Sequence, residues 1–281
     1  MYPATSVLFS RQKILNMEFE GNIRKMITEL NAPVKYTLPI GDEKIDMNAL
    51  IGKEISMKFD GQINCVSCGK KTKTSFSQGF CYNCLQTAPE ASESIIRPEL
   101  SKAHLGIARD MEWAKKHDLI DHFVYLAVSS ALKVGVTRGH QIPTRWIDQG
   151  ASYAIKIAKT PNRHIAGVIE VFLKDHFTDK TNWRSMLKNE VLADFDLAAE
   201  KERIANLLPL ELQKYMDTEN EVTEINYPVE QFPMKIKSIG FDKLPEITGT
   251  LAGIKGQYLI FDDSRVLNIR KHNGYFLRVA M

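Results

Sequence analysis

All four cysteines of this chain, Cys65, Cys68, Cys81 and Cys84, fall in two C-x-x-C pairs within the stretch CVSCGKKTKTSFSQGFCYNC. Nothing else in the sequence constrains the fold as tightly. In a reducing compartment such pairs stay as thiols, and this spacing lets four thiolates close a tetrahedron around one zinc ion. Sulfur then occupies every coordination position, which leaves none for water and makes the expected zinc structural rather than catalytic. Gly69, directly after the first pair, stands where the chain must turn tightly to bring backbone amides to the sulfurs. Such a metal contributes on the order of 10 kcal/mol or more to folding, which suits a segment too short to build a core. Four unrelated buried thiols are the plainer alternative.

The hairpin between the knuckles carries Lys70, Lys71 and Lys73 with Phe76, Phe80 and Tyr82. Basic residues interleaved with aromatics can follow a phosphate backbone and stack bases. The alternative is that the aromatics pack on a neighbouring sheet and the lysines are only solvated.

With 281 residues, 44% hydrophobic and 25% charged, the sequence is that of a folded globular protein long enough for two or three units. It contains no run of about 18 apolar residues, so no membrane span is expected. The start MYPATSVLFSRQK lacks the basic and long apolar parts of a secretion signal, and a cytoplasmic location is the expectation.

Charge is segregated. From Ala131 to His164 six cations face one acid, a net of +5, whereas from Lys188 to Glu230 eleven acids face four cations, a net of −7. Segregation of this kind prepares one face for an anionic partner. Residues Arg138, Lys156, Lys159 and Arg163 of the basic stretch join Lys70, Lys71 and Lys73 as candidate nucleic-acid contacts. The acidic 188–230 region is a candidate protein contact or a mask over the basic face.

The pattern along the chain predicts an α+β protein. A β unit occupies 1–62, the zinc ribbon 63–90, and a connector ending in a helix 91–121. Between 122 and 190 the order is strand, turn, strand, short helix, strand, long helix, the last with Ile165, Val168, Ile169 and Phe172 at i, i+3, i+4 and i+7. An acidic helical segment at 191–228 and a glycine-punctuated β unit at 229–281 complete the chain. The terminal β unit is either a small barrel of its own or pairs with the first β unit into one domain.

At HFVYLAVSSALKVGVTR, followed by Arg145 in PTRW and Glu170 in GVIE, the sequence resembles the GIY-YIG nuclease superfamily. V-Y-L stands at the first signature and K-V-G at the second. The resemblance implies a GIY-YIG-like α/β central domain flanked by the zinc ribbon and the small β units. It also implies catalytic roles for Tyr125, Arg145 and Glu170 in activating water, neutralising phosphate charge and holding magnesium or manganese. Lys133 replaces the second signature's tyrosine and is the fourth catalytic candidate, to orient a phosphate or take a proton, the alternative being a site that only binds; Gly135 on the same face would leave room for a ligand. A second resemblance covers more of the chain. KVGVTR, RWIDQGA, DKTNWRSML and GIKGQYLIFDD…LNIRKHNGY are similar to an uncharacterised prokaryotic family with zinc knuckles. Its members tend to carry further cysteines after the knuckles, which this chain lacks.

The expectation is therefore a zinc protein that binds DNA or RNA, with two outcomes open. One is metal-dependent cleavage of phosphodiester bonds. The other is a non-catalytic module that binds nucleic acid or protein on a degenerate nuclease-like fold. Trp146 and Trp183 are read as packing residues.

Overall fold

The computed structural model describes residues 17–177, 182–192 and 195–281; the segment MYPATSVLFSRQK and the first residues of DKTNWRSML lie outside them. The architecture is α+β, with three sheets and short helices.

The largest sheet has eight strands and draws on both ends of the chain. Glu18–Asn22 pairs with Tyr275–Ala280, which pairs with Glu54–Asn64, which pairs with Glu246–Lys255, all antiparallel. Tyr258–Phe261, Arg265–Asn268 and Lys237–Ile239 continue the order outward. Of the two arrangements open for the terminal β units, strands of both units share this one sheet. The reason lies in the period-two pattern. Ile55, Met57, Ile247, Leu277 and Val279 all bury their side chains in one core, and the few strands contributed by either terminus alone could not cover that face.

The central sheet runs Thr223–Glu224, Tyr153–Thr160, His122–Val128, Leu132–Arg138, again antiparallel. Its two faces have different neighbours. On one side the helix Arg163–Lys174 sets Ala166, Ile169 and Leu173 against Val124, Leu126 and Val128. That helix starts where the Asn162 side chain accepts a hydrogen bond from the Ile165 amide at 3.0 Å. Its buried stripe is displaced from the expected one: Val168 stays 36% exposed, and Ala166 and Leu173 replace it and Phe172 in full burial. On the other side Tyr125, Ala127, Trp146 and Ile147 join the core of the terminal sheet. The central sheet is thus sandwiched between its own helix and the chain's two ends.

The acidic segment folds back onto the same sheet. The Lys159 amide donates to Tyr215 O at 2.8 Å, the Asp217 amide donates to Ile157 O at 2.8 Å, and Thr223–Glu224 adds an edge strand. Among the described residues no helix is long and apolar enough to cross a membrane.

Candidate functional site

The cysteine segment is built on the end of the strand Glu54–Asn64, whose last residues pair with Lys71–Thr72. Gly69 takes φ +73°, a left-handed conformation in which its amide reaches back to Cys65 O at 3.0 Å. The second knuckle opens the helix Tyr82–Thr87, with Cys81 at its N-cap. The four Sγ atoms lie within 4.8 Å of one another. A tetrahedron with Zn–S bonds of about 2.3 Å has sulfurs about 3.8 Å apart. Cys68 and Cys81 stand at 3.9 Å, so the donor set fits the metal as to both element and spacing. Amides already point at the sulfurs: Cys81 N–H donates to Cys65 Sγ at 3.2 Å and Cys84 N–H to Cys81 Sγ at 3.5 Å.

Thiol acidity follows from these contacts. Burial opposes ionisation of Cys65, but hydrogen bonds from the amides of Cys68, Cys81 and Ser67 outweigh it and bring the thiol down to about 6. Cys84 is pushed up to about 12, first by its hydrogen bond with Cys68. Four crowded thiols give up their first proton readily and retain the last, and a divalent cation relieves that repulsion.

On the hairpin, Lys70, Lys71 and Lys73 are all exposed. None forms an ion pair among the described residues. Beside them Tyr82 is 61% exposed and its ring meets Phe76 edge-on at 5.9 Å. Phe76 and Phe80 are only half-buried and pair through an isolated bridge.

The other basic residues singled out in the sequence are differently placed. Lys156 is ion-paired with Glu219 of the acidic segment, and Lys159 with Asp121 at 2.9 Å. Arg138 donates to His117 O at 2.8 Å and lies over the Trp113 ring. Arg163 is buried, donating to Ser94 O at 2.7 Å and Ile95 O at 2.8 Å. These four charges serve contacts within the protein.

The residues matched to the nuclease signature divide between the two faces of the central sheet. Tyr125 is fully buried, its hydroxyl donating to Gln149 Oε1 at 2.8 Å. Burial raises the phenol's pKa, and the adjacent Arg145 guanidinium lowers it only in part. Gly135, opposite Tyr125 in the sheet, accommodates the tyrosine ring rather than a ligand. Lys133, opposite Ala127, lies on the same face and lines the cavity described next. Glu170 belongs to the helix on the far face, although its charge is felt at Tyr125. It is buried and ion-paired with Lys174 at 3.3 Å, and burial raises its pKa.

A cavity of about 330 Å³ opens where the zinc hairpin, the central sheet and the terminal sheet meet. Gln78 reaches it from the hairpin tip, Lys133 from the central sheet, Gln149 from the end of the short helix and Arg270 from the 3₁₀ turn Arg270–His272 between two strands of the terminal sheet. Trp183 and Tyr258 line it too, their rings stacked with centroids 5.7 Å apart. Its one acid, Asp148, is already satisfied: Lys25 Nζ approaches one oxygen at 2.6 Å and Gln257 donates to the other at 2.8 Å. Reading the sequence singled out Lys133 here and missed Arg270, Gln78 and Gln149. Arg270 lies in LNIRKHNGY, a stretch that carries resemblance but no spacing signal of its own.

A family model described as Protein of unknown function (DUF2797) matches residues 52–277. No curated protein and no solved structure gives a significant match.

Proposed function

The chain belongs to the family described as Protein of unknown function (DUF2797), and from that starting point we propose that it is a zinc-ribbon protein that binds nucleic acid without cutting it. The observation carrying this reading is the zinc hairpin: three exposed lysines, unpaired among the described residues, stand beside an exposed tyrosine on a segment that a metal would hold rigid. Cations for the backbone and a ring for the bases are what single-strand binding requires. The acidic 188–230 segment acts as an internal mask, since Glu219 neutralises Lys156 on the neighbouring sheet.

Hydrolysis is the less favoured reading. A general base needs a pKa near working pH and access to water, and Tyr125 is buried with its pKa raised. Magnesium or manganese would depend on Glu170, which lies on the helix beyond the sheet from Tyr125 with one carboxylate oxygen ion-paired to Lys174.

The test is binding of single- and double-stranded DNA and RNA across a salt series, with and without magnesium or manganese. Wild type is expected to bind at about 50 mM salt, and K70Q/K71Q/K73Q to flatten the salt dependence by about two units of slope, at about 0.7 per lost single-strand phosphate contact. Absence of binding, or an unchanged slope in the triple variant, overturns the reading. Metal-dependent cleavage lost in Glu170→Ala would replace it with a nuclease.

A further inference from the structure

We propose that a second cavity, formed by the connector against the helix Met111–His117, takes a single guanine base and reads its edge with Asp118 and Ser101. The inference goes beyond the hairpin reading: no hairpin residue lines this cavity, so the two stand or fall separately.

The cavity measures about 410 Å³, within the roughly 300–1,000 Å³ typical of small-molecule sites. Arg109 ties the connector back to the second zinc knuckle, donating to Leu85 O at 3.3 Å and Ala88 O at 2.8 Å. Asp118, only 4% exposed, stands in the cavity wall at the end of the helix. Its Oδ2 accepts from the Ser101 hydroxyl at 3.1 Å, whereas its Oδ1 is buried with no hydrogen-bond partner among the described residues. A sheltered carboxylate oxygen without a donor is costly, and an N–H brought by a ligand removes that cost.

The surrounding charge decides what kind of donor enters. Arg138 and Arg163 act on Asp118 electrostatically, yet neither forms an ion pair or hydrogen bond with it. Arg138 donates to His117 O, and Arg163 to Ser94 O and Ile95 O. An ammonium or guanidinium entering here would meet two like charges, so a neutral donor is favoured. A phosphate is disfavoured too, because the lining sets three acids, Glu93, Asp110 and Asp118, against two cations, Lys102 and Arg109. Glu93 is paired with Arg97 at 3.1 Å and Asp110 accepts from the Trp113 amide at 3.0 Å, which leaves Asp118 as the acid with an open oxygen.

The hydroxyls narrow the choice of base. Ser101 spends its one proton on Asp118, so its oxygen can only accept from a ligand. Asp118 Oδ1 and Ser101 Oγ are therefore neighbouring acceptors, the complement of the adjacent N1–H and N2–H groups on guanine's Watson–Crick edge. Ser92 and Ser94 also line the cavity; their hydroxyls, 3.1 Å apart, share one hydrogen bond and keep a second proton for guanine O6. Adenine and cytosine present an amino group beside an acceptor, and uracil a lone imide N–H, so each leaves one of the two acceptors unmatched. Pro89, Leu100 and Ile107 supply apolar walls, the last two 37% and 60% exposed and free to cover a base. Trp113 is a side wall rather than a stacking platform, since His117 stacks on its ring at 4.1 Å and Arg138 lies over it.

A guanine within a bound strand and a free guanine nucleotide present the same edge, and the experiment separates them. The monophosphates of guanosine, inosine, adenosine, cytidine and uridine, and inorganic phosphate, are titrated by calorimetry to about 5 mM, which reaches millimolar dissociation constants. A short oligouridine is compared with the same strand carrying one central guanosine. Guanosine monophosphate is expected to bind, and inosine monophosphate, which lacks the N2 amine, to bind about tenfold or more weakly, the scale of losing one hydrogen bond to a charged group. Asp118→Asn puts an N–H donor where the open oxygen stands and should erase that preference. Ala108→Trp fills the cavity from an exposed position and should block binding even if Asp118→Asn fails to fold. K70Q/K71Q/K73Q should leave monophosphate binding unchanged. If the guanosine raises strand affinity in wild type but not in Ala108→Trp, a strand supplies the base; if only the monophosphate responds, the ligand is a free guanine nucleotide. Equal binding of all five monophosphates, guanine binding untouched by both variants, or strand binding indifferent to guanine with no monophosphate bound overturns the pocket and leaves the hairpin reading standing. Guanine nucleotide binding with no strand binding overturns the hairpin reading alone, and no binding of either kind defeats both.

Discussion

Tyr125 and Gly135 face each other across two antiparallel strands, and the tyrosine ring occupies the space a side chain at Gly135 would need: a Cβ there would fall 2.5 Å from Oη and 2.6 Å from Cζ. That same hydroxyl end is held by Gln149 and the ring meets Trp146 edge-on, so it cannot swing clear. Gly135→Ala is therefore expected to cost about 1–3 kcal/mol, the usual penalty of overpacking a core. Urea unfolding measures it, and the cost should shrink when Tyr125 is also changed to Leu. A neutral Gly135→Ala would mean that the ring has slack, and would restore the glycine as space for a ligand.

The metal is expected at one zinc per chain, since four thiolates complete one tetrahedron. Cys68→Ser is the informative substitution, because Cys68 is exposed and its loss leaves no hole in the core. Elemental analysis should show the zinc falling to a small fraction, and trypsin should begin to cut at Lys70, Lys71 and Lys73 once the hairpin is released. Zinc affinity should rise with pH because the ligands bind only as thiolates. Protein purified without chelator yet free of zinc would refute the site.

What was legible in the sequence follows the range of the forces involved. Cysteine spacing is a local code, and Cys65 to Cys84 gather as their spacing predicts. The strands and helix of 122–174 were legible because side-chain periodicity reports burial within one element, though the helix stripe is rotated toward Ala166 and Leu173. Pairing of Glu54–Asn64 with Tyr275–Ala280 joins residues more than two hundred positions apart, and no local pattern encodes that choice. The partners of individual charges are hidden for the same reason. Composition could not reveal that Arg163 spends its donors on Ser94 and Ile95, or that Glu219 returns to Lys156. Arg270 gains meaning only when tertiary packing brings it beside Lys133 and Gln78.

Lys255 gives a prediction about pH. It is fully buried, with its ammonium on Asn189 Oδ1 at 2.8 Å and over the Tyr227 and Phe232 rings. Burial lowers its pKa from 10.5 to about 8. Between those values the unfolded chain holds a proton that the folded chain has released, so this group makes stability rise with pH across the window and loses that contribution as pH falls through about 8. The interval corresponds to about 3 kcal/mol. The stability of wild type minus that of Lys255→Met should therefore increase by about that amount from pH 7.5 to 10.5. A flat difference would show that the cage leaves the lysine's pKa near its ordinary value.

Tyr82 tests the hairpin surface independently of its charge. The ring is 61% exposed, touches Phe76 at its edge and supports no buried contact, so Tyr82→Ala should leave both folding and zinc content intact. If bases stack there, removing the ring forfeits about 1–3 kcal/mol, a fall in single-strand affinity of roughly 5- to 150-fold. Tyr82→Phe keeps the stacking face and should bind almost as wild type does. Because the ring carries no charge, the salt dependence of Tyr82→Ala should match wild type, in contrast to the lysine triple variant. Affinity unchanged in Tyr82→Ala would mean that nucleic acid meets the hairpin by charge alone, and that the bases are read elsewhere or not at all.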